Sequence, residues 1–197
     1  KLVLRHVKTD CGLALTKEDA RSFSGSGDKG VLDYIHSNYG VRLDEKRFVI
    51  SVWEGLRRRR HLPRMPGALS LVKALSARGV PIAVASSSPE WYVRKYLKAE
   101  GFFKYIRAIA SGDEVEKRKP DPAVYLLAAK RLGIDPKDCF AIEDSVSGVR
   151  AAKRAGMACI AVRSAHARGH DLSRADWVVP NISETIQIVR KLTKTPF

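Results

Sequence analysis

From residue 63 onwards, short apolar runs alternate with helical patterns, and this alternation constrains the fold more than any other feature. The apolar runs are VPIAVA, YIRAIA, CFAI, ACIAV and DWVV. Continuous apolar strands separated by amphipathic helices are typical of a parallel sheet that helices cover on both faces. The sequence therefore predicts an α/β fold for residues 63–197, with a Rossmann-like parallel sheet core and helices on both faces.

Residues 1–62 differ, because helical patterns follow one another there without a convincing strand. The helical segments are TKEDARSF, GVLDYIHSNYG and DEKRFVISVWEGLRRRR. Thr16 followed by Asp19 indicates a helix start, and we expect the segment GSGDKG to break the helices. We predict that residues 1–62 form a small all-helical domain.

Composition excludes several classes of protein. The 197 residues are 45% hydrophobic and 29% charged, as in ordinary folded proteins. No run approaches the roughly 18 apolar residues of a membrane span, and the N-terminus lacks a signal-peptide pattern. The three cysteines, Cys11, Cys139 and Cys159, show no metal-like pairing. We expect no membrane partner and a reducing compartment, namely the cytoplasm, or an organelle if an N-terminal segment precedes the chain.

The charge is unusual, since 36 Lys and Arg face 21 Asp and Glu and give a net charge of +15. Such a field attracts anions of any kind, including phosphorylated metabolites and nucleic acid. The densest block is LRRRRHLPR, residues 56–64. It fits either a solvated helix end, where cations are favourable, or an anion-binding patch.

The apolar run VPIAVA ends at three consecutive serines, Ser86, Ser87 and Ser88, followed by Pro89. Hydroxyl and backbone N–H groups at the junction of a strand and a helix suit a phosphate, because the helix N-terminus supplies donors and a dipole. The alternative is a plain helix cap, with Ser88 at the N-cap and Pro89 at the first helical position.

Lys119 lies in the segment Lys119-Pro120-Asp121-Pro122, after the apolar run YIRAIA. The prolines restrict the backbone after the lysine and begin the next helix, so the position of the lysine is set. A point cation there could neutralise a phosphoryl group or a carboxylate.

Two adjacent carboxylates, Glu143 and Asp144, follow the apolar run CFAI. Neighbouring carboxylates repel each other unless a cation lies close to them. One explanation is a helix N-terminus, where acidic residues are favoured. The other is a Mg²⁺ site, which takes one or two carboxylates together with waters and phosphate oxygens. Because ligands of parallel sheets bind beyond the carboxyl ends of the strands, the three strand ends together predict a phosphate site.

These motifs resemble those of the haloacid dehalogenase-type phosphatases, in particular the phosphosugar phosphatases and β-phosphoglucomutases with a helical cap. The matching segments are MPGALSLVKALSARG, AVASSSP, KRKPDPAVYLLAAKRLG and CFAIEDSVSGVRAAKRAGM. The resemblance runs from about Leu13 to Ala175 and includes three of the family's four motifs. It implies that residues 1–62 are the helical cap and residues 63–197 the hydrolase core.

The resemblance also implies roles for single residues. Ser86 matches the hydroxyl that binds the transferring phosphoryl group, with Ser87 and Ser88 as further substrate-binding residues. Lys119 matches the lysine that neutralises the nucleophile and the phosphate.

The acids Glu143 and Asp144 match the pair that holds Mg²⁺ in the family, which would make the divalent cation the partner of these two like charges.

The first motif of the family, a strand followed by Asp-x-Asp-Gly, has no match here. The nearest segment, KTDCGLAL, has Thr9 and Cys11 in place of the two acids. In the family, the first Asp forms an aspartyl-phosphate and the second is the general acid and base. We expect the nucleophilic Asp to lie upstream of this chain. The alternatives are that KLVLRHV takes the place of the missing strand, or that the protein is a non-catalytic relative.

The function that the resemblance implies is Mg²⁺-dependent hydrolysis of a small phosphomonoester, such as a phosphosugar, through an aspartyl-phosphate. One alternative is a phosphosugar mutase, in which Lys29 would replace the arginine that binds the second phosphate in the cap. Another is a non-catalytic relative that binds nucleic acid through its basic surface. Nucleic acid is not favoured, because the basic residues are scattered and no nucleic-acid motif is present.

Overall fold

The computed structural model describes residues 7, 12–22, 27–58, 64–164, 169 and 171–192. The chain divides into two compact units, Lys1–Arg60 and His61–Phe197. The predicted domain boundary after residue 62 lies among residues 59–63, outside the described residues. We call the first unit the helical unit and the second the core unit, and describe each by itself.

The described part of the helical unit contains three helices, α1 (Lys17–Ser22), α2 (Gly27–Tyr39) and α3 (Glu45–Arg57). Their apolar faces enclose a small core of buried side chains, namely Val7, Val31, Ile35, Phe48 and Val52. Helix α2 begins inside the segment GSGDKG, so the predicted helix break does not extend beyond residue 26. Val7, the last residue of KLVLRHV, packs in this helical core and not in a sheet; residues 1–6 lie outside the described residues.

A reciprocal pair of hydrogen bonds begins α1. The backbone N–H of Thr16 donates to Asp19 Oδ2 at 2.6 Å, and the backbone N–H of Asp19 donates to Thr16 Oγ1 at 3.1 Å. Each side chain thereby satisfies a backbone donor that the helix leaves unpaired. The helix start predicted from Thr16 and Asp19 is confirmed.

Five strands lie in the described part of the core unit: β1 (Ala83–Ala85), β2 (Ala108–Ala110), β3 (Phe140–Glu143), β4 (Ala158–Val162) and β5 (Trp177–Val179). They form two groups, β1–β2 and β3–β4–β5, and within each group the neighbouring strands are parallel. The register aligns Val84 with Ile109 and Ala141 with Cys159. The predicted parallel sheet is confirmed.

Helices connect the strands, as the alternation predicts. They are α4 (Ala68–Ser76), α5 (Glu90–Ala99), α6 (Ala123–Leu132), α7 (Val146–Arg154) and α8 (Thr185–Leu192). Within the described ranges, none of the helices combines the length and the apolar character that crossing a bilayer requires.

The two faces of the sheet bury different helices. Side chains alternate along β4, so that Cys159 joins the cluster under α6 and α7, while Ile160 joins the cluster under α4 and α8. Both faces are therefore covered, which is why the strands are apolar without alternation. The predicted Rossmann-like core with helices on both faces is confirmed.

The strands β1 and β3 share both of these clusters although they are not hydrogen-bonded to each other. Ala83 and Ala85 pack against the cluster that contains Ala141, and Ile82 packs against the cluster that Ile142 joins. Among the described residues, β1 pairs with β2 alone and β3 with β4 alone. Each of these two strands therefore has one edge without a described partner.

Two strands are shorter than predicted. Of VPIAVA and YIRAIA, only the last three residues of each form a strand. For YIRAIA the reason is local, because the chain before β2 turns through a 3₁₀-helix at Phe103–Tyr105, which removes Tyr105 from the ladder.

Candidate functional site

The ammonium group of Lys119 joins the carboxyl ends of β1 and β3. Its Nζ donates to the carbonyl oxygen of Ala85 at 3.1 Å and to Glu143 Oε1 at 2.5 Å. The side chain of Lys119 is 10% exposed and that of Glu143 is 8% exposed. The structure thus brings together two residues that the sequence placed at different strand ends, as a buried ion pair.

The carboxylate of Glu143 accepts four hydrogen bonds. Oε1 receives the ammonium of Lys119 and the phenol of Tyr125, both at 2.5 Å. Oε2 receives the backbone N–H of Asp144 at 3.2 Å and the hydroxyl of Ser145 at 3.1 Å. A carboxylate offers about four acceptor positions, so the hydrogen-bonding capacity of Glu143 is filled.

The pKa of the Glu143 carboxyl reflects two opposing effects. Burial raises this pKa, because it disfavours the charged form. The charge of Lys119 and the hydrogen bonds outweigh burial and hold the pKa below its ordinary value. Glu143 is therefore ionised at neutral pH, and Lys119 is the cation that it faces.

Tyr125 is a site residue that the sequence interpretation missed. Its side chain lies in the first turn of α6, and its ring centroid is 4.7 Å from Lys119 Nζ. Burial and the nearby charge of Glu143 raise the pKa of Tyr125 well above its ordinary value, so the phenol stays protonated and donates. Its position six residues after Lys119, in the motif KPDPAVY, was the signal available in the sequence.

Gly148 is a second residue that the sequence interpretation missed. A Cβ atom at this position would lie 2.0 Å from Glu143 Cδ, so the carboxylate packs against the backbone of α7. Ser145 caps the same helix, since its Oγ accepts from the backbone N–H of Gly148 at 3.0 Å. A glycine inside a helical pattern, here SVSGVRAAKRAG, indicates such a close approach.

Asp144 follows Glu143 at the same strand end and is half-buried. No group of three or more His, Cys, Asp or Glu side chains among the described residues could hold a metal ion by itself. Mg²⁺ needs as few as one protein carboxylate when waters and phosphate oxygens complete its shell. A carboxylate at this strand end, such as that of Asp144, fits this requirement; Glu143 already accepts four hydrogen bonds and could join by giving up one of them. The roles of both acids in metal binding stay predictions.

The three serines after β1 form a tight turn. The backbone N–H of Ser86 continues the ladder by donating to Ala110 O at 2.9 Å, and its Oγ accepts from the backbone N–H of Ser88 at 3.1 Å. A Cβ atom on Gly112 would lie 2.2 Å from the carbonyl oxygen of Ser87. The loop after β2 thus packs directly on the serine turn and fixes it beside Lys119, which binds the carbonyl of the residue before Ser86.

The alternative interpretation of Ser88 as a helix cap is wrong. Pro89 occupies the N-cap of α5 in an extended conformation, and Asp113 from the next loop supplies the cap, its carboxylate accepting from the backbone N–H of Glu90 at 3.1 Å. The physical reason is that a long-range carboxylate reaches the first turn in place of the adjacent hydroxyl. The hydroxyl of Ser88 therefore does not cap the start of α5.

Lys29 belongs to the helical unit, where it is the third residue of α2 and exposed. It lies on a helix and not in the loop that the sequence suggested. Its role in binding substrate stays a prediction. Most of the predicted arginine-rich patch lies outside the described residues; Arg57 and Arg58 are described and exposed.

Comparison with known proteins finds a family model that matches this chain. A family model described as haloacid dehalogenase-like hydrolase matches residues 3–162. The bifunctional riboflavin kinase/FMN phosphatase of Arabidopsis thaliana is 43% identical over 119 residues, which are 60% of this chain and 31% of that protein. The validoxylamine A 7'-phosphate phosphatase of Streptomyces hygroscopicus subsp. limoneus is 30% identical over 171 residues, 83% of this chain and 77% of that protein.

Solved structures give the same picture of the fold. A crystal structure of CbbY from Rhodobacter sphaeroides in complex with xylulose-(1,5)bisphosphate superposes with a TM-score of 0.78 at 25% identity, covering 93% of this chain and 88% of that one. In contrast, this chain spans between 31% and 60% of the length of four curated relatives that it matches.

Proposed function

The chain belongs to the haloacid dehalogenase-like hydrolase family, and from this premise we propose that it is a phosphatase of small phosphomonoesters, in particular phosphosugars. The observation that carries the proposal is the buried ammonium of Lys119, which is held between the carboxyl ends of two parallel strands beside the serine turn and Asp144. The names of the phosphatase relatives support the reaction, and the sugar bisphosphate bound to CbbY supports the substrate class.

Lys119 supplies positive charge where a phosphoryl group would be transferred. Its two anchors at the strand ends, the carbonyl of Ala85 and the carboxylate of Glu143, hold the ammonium in place before substrate binds, together with the phenol oxygen of Tyr125 at 3.4 Å. A preorganised charge stabilises the developing charge of a transition state without reorganisation at the moment of reaction. The three donors of an ammonium allow Lys119 to contact phosphate while it keeps at least one anchor.

The serine turn would bind the oxygens of the phosphoryl group. Ser86 Oγ accepts one hydrogen bond from the turn, and the proton of its hydroxyl is available to donate to an anion. Ser87 and Ser88 line the same turn, and the N-terminus of α5 follows and favours negative charge. We assign these residues to substrate binding.

We assign the nucleophile to a strand that pairs with the edges of β1 and β3, outside the described residues. A carboxylate at the carboxyl end of such a strand would face Lys119 from between its two anchors. One carboxylate oxygen would form a bond to phosphorus while the bond from phosphorus to the ester oxygen breaks, and the second Asp of the motif would protonate the departing oxygen. Water would then hydrolyse the aspartyl-phosphate and release inorganic phosphate.

Asp144 would hold Mg²⁺ together with waters and a phosphate oxygen. The ion would offset the repulsion between the anionic substrate and the carboxylates around it.

The direct test is phosphate release by the protein in its full natural length, with Mg²⁺, from a panel that includes xylulose 1,5-bisphosphate and β-glucose 1-phosphate. Lys119→Ala should lower turnover on the order of 10²-fold or more. Lys137→Ala is the matched control, because Lys137 is 72% exposed and its ion-pair partner is the exposed Asp135; we expect it to be unaffected. Conversion of β-glucose 1-phosphate to its isomer without phosphate release would instead indicate a mutase.

The nucleophile can be tested separately. Adding a strand that ends in Asp-x-Asp-Gly in front of Lys1 should give a chain that releases phosphate, and the same addition with Asn at the first Asp should give an inactive one. Equal phosphate release by the two versions would refute the assignment.

A further inference from the structure

We propose that Asp113, in the loop after β2, is a positioning residue for the reaction. It accepts the N–H group at the start of α5 and thereby holds the three serines after β1, Ser86, Ser87 and Ser88, in the turn that binds phosphate. It does so as a hydrogen-bond acceptor and not through its charge. This inference rests on the proposed function, in which the serine turn binds the phosphoryl group.

The first argument is that the loop after β2 contacts the serine turn along its length. The backbone N–H of Ser86 donates to the carbonyl oxygen of Ala110 at 2.9 Å, and that of Gly112 donates to the carbonyl oxygen of Ser88 at 3.0 Å. Between these bonds, a Cβ atom on the buried Gly112 would lie 2.2 Å from Ser87 O and 2.9 Å from Ser87 Cα. Because these backbone atoms cannot yield as the end of a flexible side chain can, a shift of this loop moves the serine turn.

The second argument is that Asp113 ties the same loop to α5. Its Oδ1 and Oδ2 accept from the backbone N–H of Glu90 at 3.1 and 3.3 Å. The first N–H groups of a helix have no partner within the helix, and Pro89 at the N-cap offers no side-chain hydrogen bond. Since Asp113 directly follows Gly112, one short loop fixes both the serine turn and the helix that begins after it.

The third argument concerns what Ser88 would do without Asp113. A serine at an N-cap accepts from the backbone N–H two or three residues later, and Glu90 lies two residues after Ser88. Asp113 takes this N–H. If its carboxylate is removed, Ser88 becomes the neighbouring acceptor, and we expect its hydroxyl to turn towards α5 and away from phosphate. Asp113 therefore preserves the shape of the turn as well as its position.

The negative charge of Asp113 is not needed for this task. Asp113 is exposed, and a negative charge beside a phosphate site repels an anionic substrate. Asparagine has an acceptor oxygen on a side chain of the same length but no charge, and it is as good an N-cap residue as aspartate. Asp113→Asn should therefore preserve the serine turn, whereas Asp113→Ala should not.

The experiment measures steady-state phosphate release by the protein in its full natural length. It uses the panel substrate that the protein hydrolyses fastest, at a temperature below the unfolding midpoint of every variant. Asp113→Ala should lower kcat about tenfold, because the donors to the phosphoryl group are displaced, and Asp113→Asn should keep kcat within about twofold of the wild type. An equal loss in the two variants would overturn the proposal, and so would an unchanged kcat in Asp113→Ala.

A matched control separates positioning from a general loss of stability. Asp135 is an exposed carboxylate of the same unit that caps the 3₁₀-helix Pro136–Asp138, where it accepts from the backbone N–H of Lys137 at 3.0 Å. Asp135→Ala should lower the unfolding midpoint about as much as Asp113→Ala does and leave kcat unchanged. A fall in kcat equal to that in Asp113→Ala would contradict a specific role of Asp113.

A double variant tests whether Asp113 acts through the serine turn. Residues that act through one another have effects that are not additive. Adding Asp113→Ala to Ser86→Ala should therefore lower kcat less than about threefold, although the same change lowers the kcat of the wild type more. A further loss of about tenfold in the double variant would show that Asp113 acts independently of Ser86, which would overturn the proposal.

Hydrogen exchange followed by mass spectrometry gives a readout that does not depend on activity. Asp113→Ala should speed the exchange of backbone amides in residues 86–90, whereas Asp113→Asn and Asp135→Ala should not. Unchanged exchange in Asp113→Ala would overturn the inference whatever the activity. Faster exchange in Asp113→Ala, together with a wild-type protein that releases no phosphate, would refute the proposed function alone.

Discussion

Two buried carboxylates, Asp19 in the helical unit and Glu143 in the core unit, have similar surroundings but differ in the charge of their donors. Asp19 is 7% exposed and accepts a hydrogen bond from the phenol of Tyr34 at 2.8 Å. Glu143 accepts one from the phenol of Tyr125 at 2.5 Å. The other donors to Asp19 are the backbone and hydroxyl of Thr16 and the phenol of Tyr39, which are neutral, whereas Glu143 also has the ammonium of Lys119.

The difference separates a structural carboxylate from one that can support chemistry. Thr16 precedes Asp19 by three residues, so its two donors reach Asp19 within one helix start. Lys119 and Glu143 are 24 residues apart and meet when β1, β3 and α6 have assembled. The core cluster therefore holds a cation at a strand end, which the helical cluster does not.

The largest effect should follow from Gly148→Ala. The new Cβ would displace the carboxylate of Glu143 and with it Lys119, so we expect phosphate release to fall on the order of 10²-fold and stability to fall by about 1–3 kcal/mol. Gly156→Ala, at the end of the same helix, is the control, because a Cβ there meets nothing within 4 Å. Its positive φ should cost about 1–2 kcal/mol without affecting turnover. Urea unfolding measures the stability of the two variants, and phosphate release measures their turnover. Normal activity in Gly148→Ala would contradict the packing of Glu143 against Gly148.

A smaller effect should distinguish the two tyrosines. Tyr125→Phe removes one donor from Glu143 and should lower turnover about tenfold and stability by about 1 kcal/mol. Tyr34→Phe removes the matching donor from Asp19 and should lower stability without changing turnover. The comparison fails if the two variants have the same kinetic effect in a steady-state phosphate assay.

A single substitution can weaken the start of helix α1. Thr16→Ala removes the hydroxyl that accepts from the backbone of Asp19 and should cost about 0.5–2 kcal/mol of stability. Because the bonds are local, we expect kcat and KM to stay within twofold of the wild type. A clear fall in kcat would show that this cluster contributes to the reaction after all.

The smallest effect concerns Glu114, a carboxylate whose cation partner is Arg131 and not Lys119. Hydrogen bonds from Arg131 and Ser111 lower its pKa to about 2, against an ordinary value of 4.5. A folded-state pKa below the unfolded one stabilises the protein above the unfolded pKa, and this stability is lost as pH falls from about 4.5 to 2. Glu114→Gln should flatten that part of the pH–stability curve and leave activity at pH 7 unchanged. An unaltered curve would contradict the pKa assignment.

Local sequence was sufficient for the parts of the molecule that depend on near neighbours. The parallel sheet, its covering helices and the start of α1 follow from apolar runs and from the spacing of Thr16 and Asp19. The positions of Ser86, Lys119 and Glu143 at strand ends also follow from the pattern, since parallel strands bring such residues to one edge.

Contacts between distant segments could not be predicted in the same way. The cap that Asp113 gives to α5 comes from another loop, and it displaced the expected cap at Ser88. The bonds from Tyr125 and the approach of Gly148 to Glu143 depend on how α6 and α7 pack against the sheet. A single sequence places a carboxylate at a strand end but does not show which of many cations it will face.

The most direct test of the central claim is a crystal structure of the protein in its full natural length with Mg²⁺ and vanadate, which adopts the geometry of a transferring phosphoryl group. We predict vanadate beside the serine turn, with Lys119 Nζ within about 3.2 Å of one of its oxygens and still bonded to Glu143, and with Asp144 on the metal. Vanadate bound away from Lys119, or Lys119 turned away from both vanadate and Glu143, would contradict the account.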